Sequence, residues 1–126
     1  MGAGLTAALV WWLFTGQRED VAIARAFLTH IAQEEHFEAH ALMSPELAAQ
    51  VPTATLAQQF GQIQPWDHIG FRQRSTQSFG DARATELHGH GTTASDCVST
   101  LYIRLYAGQI VQYDVTPLCR VVGEDA

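Results

Sequence analysis

The sequence predicts an α+β fold in which an N-terminal transmembrane or anchor helix is followed by helices packed on a curved antiparallel sheet that ends in a long hairpin. Three observations predict it. Apolar residues recur at helical spacing through the first half of the chain, β-rich runs fill the second half, and the two kinds of segment are segregated rather than alternating. With 126 residues, there is room for one domain of roughly 100 residues and a short appendage. All seven basic residues are Arg, scattered through a chain of net charge −6. That excludes the clustered positive charge of a nucleic-acid surface. The Ala-rich, Lys-free composition fits a bacterial gene of high G+C content.

The hairpin is the strongest signal. Two apolar, β-rich runs, CVSTLYIRLY and IVQYDVTPLC, flank Ala107-Gly108-Gln109. A three-residue loop with Gly in the left-handed position pairs Tyr106 with Ile110, and the same register carried back sets Cys97 opposite Cys119. Leu101, Ile103 and Leu105 then share the core face with Val111, Tyr113 and Val115, while Thr100, Arg104, Gln112, Asp114 and Thr116 take the polar face. Opposed residues have Cβ atoms about 4.5–5.5 Å apart, close enough for a disulfide. A Cys97–Cys119 bond favours an oxidising compartment such as a periplasm.

Residues 1–17 carry no charged side chain, and LTAALVWWLF is strongly apolar. Leu5, Leu9, Val10, Trp11, Trp12 and Phe14 mark a membrane anchor, with the aromatic residues placed as an interfacial belt before Gln17-Arg18-Glu19-Asp20. Seventeen helical residues rise about 25 Å, short of a hydrocarbon core of about 30 Å. An anchor this short would gain from partner helices, against which Gly2, Gly4 and Ala7 permit close approach. A cleaved signal peptide is the rival reading, but no basic region precedes the apolar run and no small-x-small site follows Phe14. The chain therefore divides into an anchor at 1–17 and a domain at 18–126, with a linker over 15–19.

Asp20 is placed to cap the first domain helix, whose stripe is Val21, Ala24, Phe27, Leu28 and Ile31. A break at Gln33-Glu34-Glu35 precedes a second helical run, HFEAHALM, closed by Ser44-Pro45. Ser44 caps a short helix that starts at Pro45 and stops before Pro52, and Thr53 or Thr55 opens another that Gly61 ends. Residues 62–69 read as loop. Two strands, 71–79 and 82–91, turn at Gly80-Asp81 ahead of the long hairpin.

The run AFLTHIAQEEHFEAHALMSPELAAQ, with its "A-x-A-L-x-S-P-E-L" segment, resembles the opening of bacterial nuclear transport factor 2-like domains. These are cone-shaped α+β folds of the cystatin-like kind. ELHGHG and CVSTLYIRLYAGQIVQYDVTP look like their closing strands. The resemblance covers residues 20–119 and implies any of several roles. The superfold includes ketosteroid isomerase-like enzymes, carrier and scaffold subunits, and membrane-anchored periplasmic components of secretion systems.

Candidate chemistry is sparse. His36 and His40 at i, i+4 and His88 and His90 at i, i+2 each share a face of their element, and four imidazoles could hold zinc or copper if the two elements met. The favoured reading places His36 and His40 where the resembled domains carry aromatic or polar helix residues, and His88 and His90 on the sheet's outer, wet face, with no metal and no cofactor. An isomerase-like site needs a buried carboxylate base and a donor for the enolate oxygen. Its candidates are Asp67, Asp96, Asp114, Tyr102, Tyr106 and Tyr113. The register puts Asp114 opposite Tyr102 on the polar face, and Tyr113 faces inward without a carboxylate. Trp66-Asp67-His68 reads as a loop with a packed Trp. The expectation is a non-catalytic, membrane-anchored accessory or assembly subunit in the bacterial inner membrane, its domain in the periplasm, bound to other subunits of a membrane protein complex and not to nucleic acid. The alternative is a small-molecule-binding or ketosteroid isomerase-like cone domain.

Overall fold

A computed structural model describes residues 2–121, with side chains from Gly16 onward. Four helices precede four strands: α1 (Gly2–Ala32), α2 (His36–His40), α3 (Pro45–Gln50), α4 (Thr53–Gln59), β1 (Trp66–Phe79), β2 (Ala82–Thr93), β3 (Val98–Tyr106) and β4 (Gln109–Thr116). The strands form one antiparallel sheet in the order β1-β2-β3-β4, so β1 and β4 are its edges. α1 lies against β1 and β2, α2 packs on α1 and α4, and α3 meets β4. The α+β class and the order of elements are those the sequence predicts.

The core forms where the apolar stripe of α1 meets the inner face of the sheet. Ala24, Phe27, Leu28 and Ile31 are fully buried, as are Leu87, Leu101, Ile103 and Leu105. Burying a side chain of this size contributes about 1.5–3 kcal/mol. α1 ends in a left-handed cap: Glu34 has φ 62, its N–H donates to the Ile31 carbonyl at 3.2 Å, and the Glu35 N–H donates to the His30 carbonyl at 2.7 Å. This Schellman closure normally takes Gly. Here the His30 ring and the Glu35 carboxylate, 2.9 Å apart, pin the same turn from outside. The Ser44 hydroxyl accepts from the Leu47 N–H at 3.2 Å with Pro45 in the first helical turn, as expected for α3. Pro52, rather than a Thr, occupies the cap position of α4.

Three expectations are corrected, and the membrane anchor is not among them. α1 is one helix from Gly2 to Ala32, with no linker at 15–19 and no helix start at Asp20. The helix runs through where Gln17 and Asp20 bond to Thr76, Arg83 and Thr85 of the sheet, while Arg18 and Glu19 stay exposed. No helix among the described residues is long and apolar enough to cross a membrane. The anchor residues Leu5, Leu9, Val10, Trp11, Trp12 and Phe14, and the small residues Gly2, Gly4 and Ala7, lie outside the residues whose side chains are described. β1 begins at Trp66, inside the predicted loop.

The third correction is at the hairpin. Ala107 (φ 53) and Gly108 (φ 78) both take the left-handed region, giving a two-residue turn of the kind that matches strand twist. Tyr106 therefore pairs with Gln109 and Leu105 with Ile110, and a bulge at Val111 restores the expected pairs Arg104 with Gln112, Ile103 with Tyr113 and Leu101 with Val115. The extra residue flips parity at the tip, so Ile110 rather than Val111 is fully buried.

Candidate functional site

Cys97 and Cys119 are disulfide-bonded, their Cα atoms 6.1 Å apart. Cys97 precedes β3 and Cys119 follows β4, so the bond ties the two chain exits of the hairpin. Beside it the buried Ser99 hydroxyl donates to the Pro117 carbonyl at 2.8 Å and accepts from the Trp66 Nε1 at 3.4 Å.

The histidine pairs do not converge. Among the described residues, no group of three or more His, Cys, Asp or Glu is placed to hold a metal ion. In the HGHG run, Gly89 and Gly91 face the core and His88 and His90 face solvent. The His88 ring packs at 4.8 Å from the Tyr102 ring on that outer face. His40 meets the Ala48 carbonyl through Nε2 at 3.1 Å, which anchors α2 to α3. His36 Nδ1 is buried with no hydrogen-bond partner.

The isomerase candidates are likewise dispersed. Tyr102 and Asp114 are opposite each other as the register predicts, but the Tyr102 hydroxyl donates to Glu86 Oε1 at 3.3 Å and Asp114 accepts from Thr116 at 3.1 Å. Burial, with the Glu86 carboxylate beside it, raises the Tyr102 phenol above its ordinary range. Tyr113 is half-buried between the Phe27 and Phe60 rings, at 5.4 and 5.8 Å, and its hydroxyl donates to Gln59 Oε1 at 2.6 Å. Burial raises its pKa too. Asp67, Asp96 and Tyr106 are exposed.

The sheet instead buries a carboxylate that sequence reading assigned to a helix cap. Asp20 is 0% exposed. Its two oxygens accept from Arg83 Nε at 2.9 Å and Nη2 at 3.0 Å, and from the Thr85 hydroxyl at 2.6 Å. Thr85 in turn meets the Thr76 hydroxyl at 3.2 Å, which accepts from Gln17 Nε2 at 2.9 Å. Glu19 adds a longer contact to Arg83 at 3.5 Å. The hydrogen bond to Asp20 raises the Arg83 pKa against the opposing effect of burial, so the guanidinium stays charged. Gly16, one turn before Asp20, lets the Arg83 side chain pass: a Cβ there would lie 2.8 Å from Arg83 Cδ and Nε. Gly16, Gln17 and Asp20 thus lock α1 to β1 and β2 at the point where its apolar arm begins. The only trace of this in the sequence is an acidic residue at i+4 from a glycine, because the partner lies 63 positions away.

An open groove of about 700 Å³ lies between β4 and the helical layer. Leu47, Val51, Phe60 and Leu118 supply one wall and the Tyr113–Val115 edge of β4 the other. Asp114 is the one charged residue lining it. Compared with protein families, curated proteins and solved structures, the chain matches none.

Proposed function

We propose that this protein is a non-catalytic accessory or assembly subunit of a bacterial membrane protein complex, with a nuclear transport factor 2-like domain held in the periplasm by its N-terminal arm. The observation that carries the reading is the continuity of α1 through the Gly16, Gln17 and Asp20 lock. A leader cut at 15–18 would be severed inside a helix already packed on the sheet. An apolar arm too short to span by itself has apolar surface to bury against partner helices, where small residues allow close packing. The disulfide fits an oxidising compartment. The alternative of a small-molecule or isomerase-like cone domain draws on the groove alone, whose carboxylate is exposed and whose tyrosine hydroxyl is already bonded to Gln59. Native purification in mild detergent tests the reading. Partner membrane subunits should co-purify with the intact chain, and Gly4→Leu should weaken that association without lowering the melting temperature. Recovery of the chain alone from the native membrane would reject it.

A further inference from the structure

We propose that the groove along β4 is a docking site for an extended peptide segment of a partner protein, which adds to the sheet as a fifth strand and carries a basic residue opposite Asp114. The inference rests on the protein-binding role above and names the partner's chemistry.

Backbone directions along β4 carry the argument. The Ile110 N–H donates to the Leu42 carbonyl at 3.0 Å and its carbonyl accepts from the Ser44 N–H at 2.8 Å, so Ile110 points its polar groups away from β3. Its partner Leu105 must then point toward β2. β3 pairs with β2 without a bulge from Leu101 to Leu105, so Ile103 and Leu101 also point toward β2 by simple alternation. Their partners on β4, Tyr113 and Val115, therefore turn N–H and C=O outward, into the groove. Among the described residues no backbone hydrogen bond outside the strand ladders reaches any of these four groups. The chain itself pairs with one half of this edge, through the bridge between Met43 and Ile110, and leaves the other half open.

An open edge beside an apolar wall is the arrangement used in strand addition, where main-chain bonds supply affinity and alternate side chains supply specificity. Side chains of the added strand on the inner side would meet Leu47, Val51, Phe60 and Leu118, which select apolar residues. On the outer side the neighbour is Asp114, which selects Lys or Arg, since opposite charges directly across strands are favourable. A second copy of this chain fits poorly. It would bring another Asp114 and a net charge of −6 to the same edge.

The probe is a synthetic peptide of about nine residues alternating Thr and Val, with Lys in place of the central Thr, titrated into the full chain in detergent. Saturable binding should slow hydrogen exchange at the Tyr113 and Val115 amides, while the Asp114 amide, already in the ladder, changes little. Asp114→Lys should weaken binding about five- to tenfold. Gln50→Trp, an exposed position on the groove rim, should block binding while the melting temperature stays near wild type. Absence of saturable binding, or binding indifferent to both substitutions, overturns the proposal. So does concentration-dependent protection of the two amides without peptide, which would assign the edge to a second copy. Partner subunits that still co-purify while the peptide fails to bind would reject the groove and leave the assembly role intact. Peptide binding by a chain that has no co-purifying partner would do the reverse.

Discussion

Replacing Arg83 with Met should strand a carboxylate in the core. Asp20 is 0% exposed and loses two of its three hydrogen bonds, keeping only the Thr85 hydroxyl at 2.6 Å. Removing one partner of a buried ion pair costs about 3–5 kcal/mol, against a total stability of about 5–15 kcal/mol for a domain. At about 4 °C per kcal/mol for a chain of this size, the melting temperature should fall by about 12–20 °C. The double variant Asp20→Leu/Arg83→Met removes both charges and keeps apolar volume, and should recover most of that loss. Gly16→Ala provides a second reading of the same lock. In an exposed helix it would stabilise by about 1 kcal/mol, whereas here its Cβ falls 2.8 Å from Arg83 and should destabilise. Thermal melts followed by circular dichroism, with chemical denaturation for the free energies, decide the matter. A single variant that loses less than about 1 kcal/mol, or a double variant as unstable as the single, would refute an energetic role for the pair.

Three further outcomes follow from the fold. Ile103→Asp, at a fully buried site, should unfold the domain because an unpaired buried charge costs several kcal/mol, whereas Arg104→Asp on the exposed face should melt near wild type; equal melts would overturn the facing of β3. Replacing Cys97 and Cys119 with Ser should cost roughly 3 kcal/mol in the chain-entropy model, and unchanged denaturant midpoints would assign the bond no stabilising role. The raised Tyr102 and Tyr113 phenols contribute stability that is complete below the unfolded tyrosine pKa of about 10 and is lost as pH rises through the folded values. Absorbance titration should therefore show their phenolates forming later in the folded than in the unfolded chain, with Tyr113→Phe removing one late step.

The hairpin was legible because three local signals agreed: alternation on both runs, a turn glycine and two cysteines in one register. They fixed the strand pairs from Leu101 to Arg104 correctly. The bulge at Val111 was not legible, since it depends on whether Ala107 accepts a left-handed backbone, which turn preferences assign to Gly, Asn and Asp rather than Ala. α1 was misread at its middle for the opposite reason. Gln17-Arg18-Glu19-Asp20 looks like a linker and cap when seen alone, and becomes helix only because Thr76, Arg83 and Thr85 satisfy Gln17 and Asp20 from the sheet. Strand parity puts His88, His90 and Asp114 on outward faces, and all three are exposed, but the groove and the open edge beside Tyr113 and Val115 arise from how α3 and α4 pass β4. That passage has no local sequence signal.

The most direct test of the assembly role is the intact mass of the chain recovered from the native membrane fraction, measured before and after reduction. The role requires that the mature protein retain Gly2 to Phe14 and lie in an oxidising compartment, so the mass should include those residues and rise by two protons on reduction of Cys97–Cys119. A mature chain that begins between Thr15 and Arg18 would contradict it, because the arm that joins the domain to its complex would be gone.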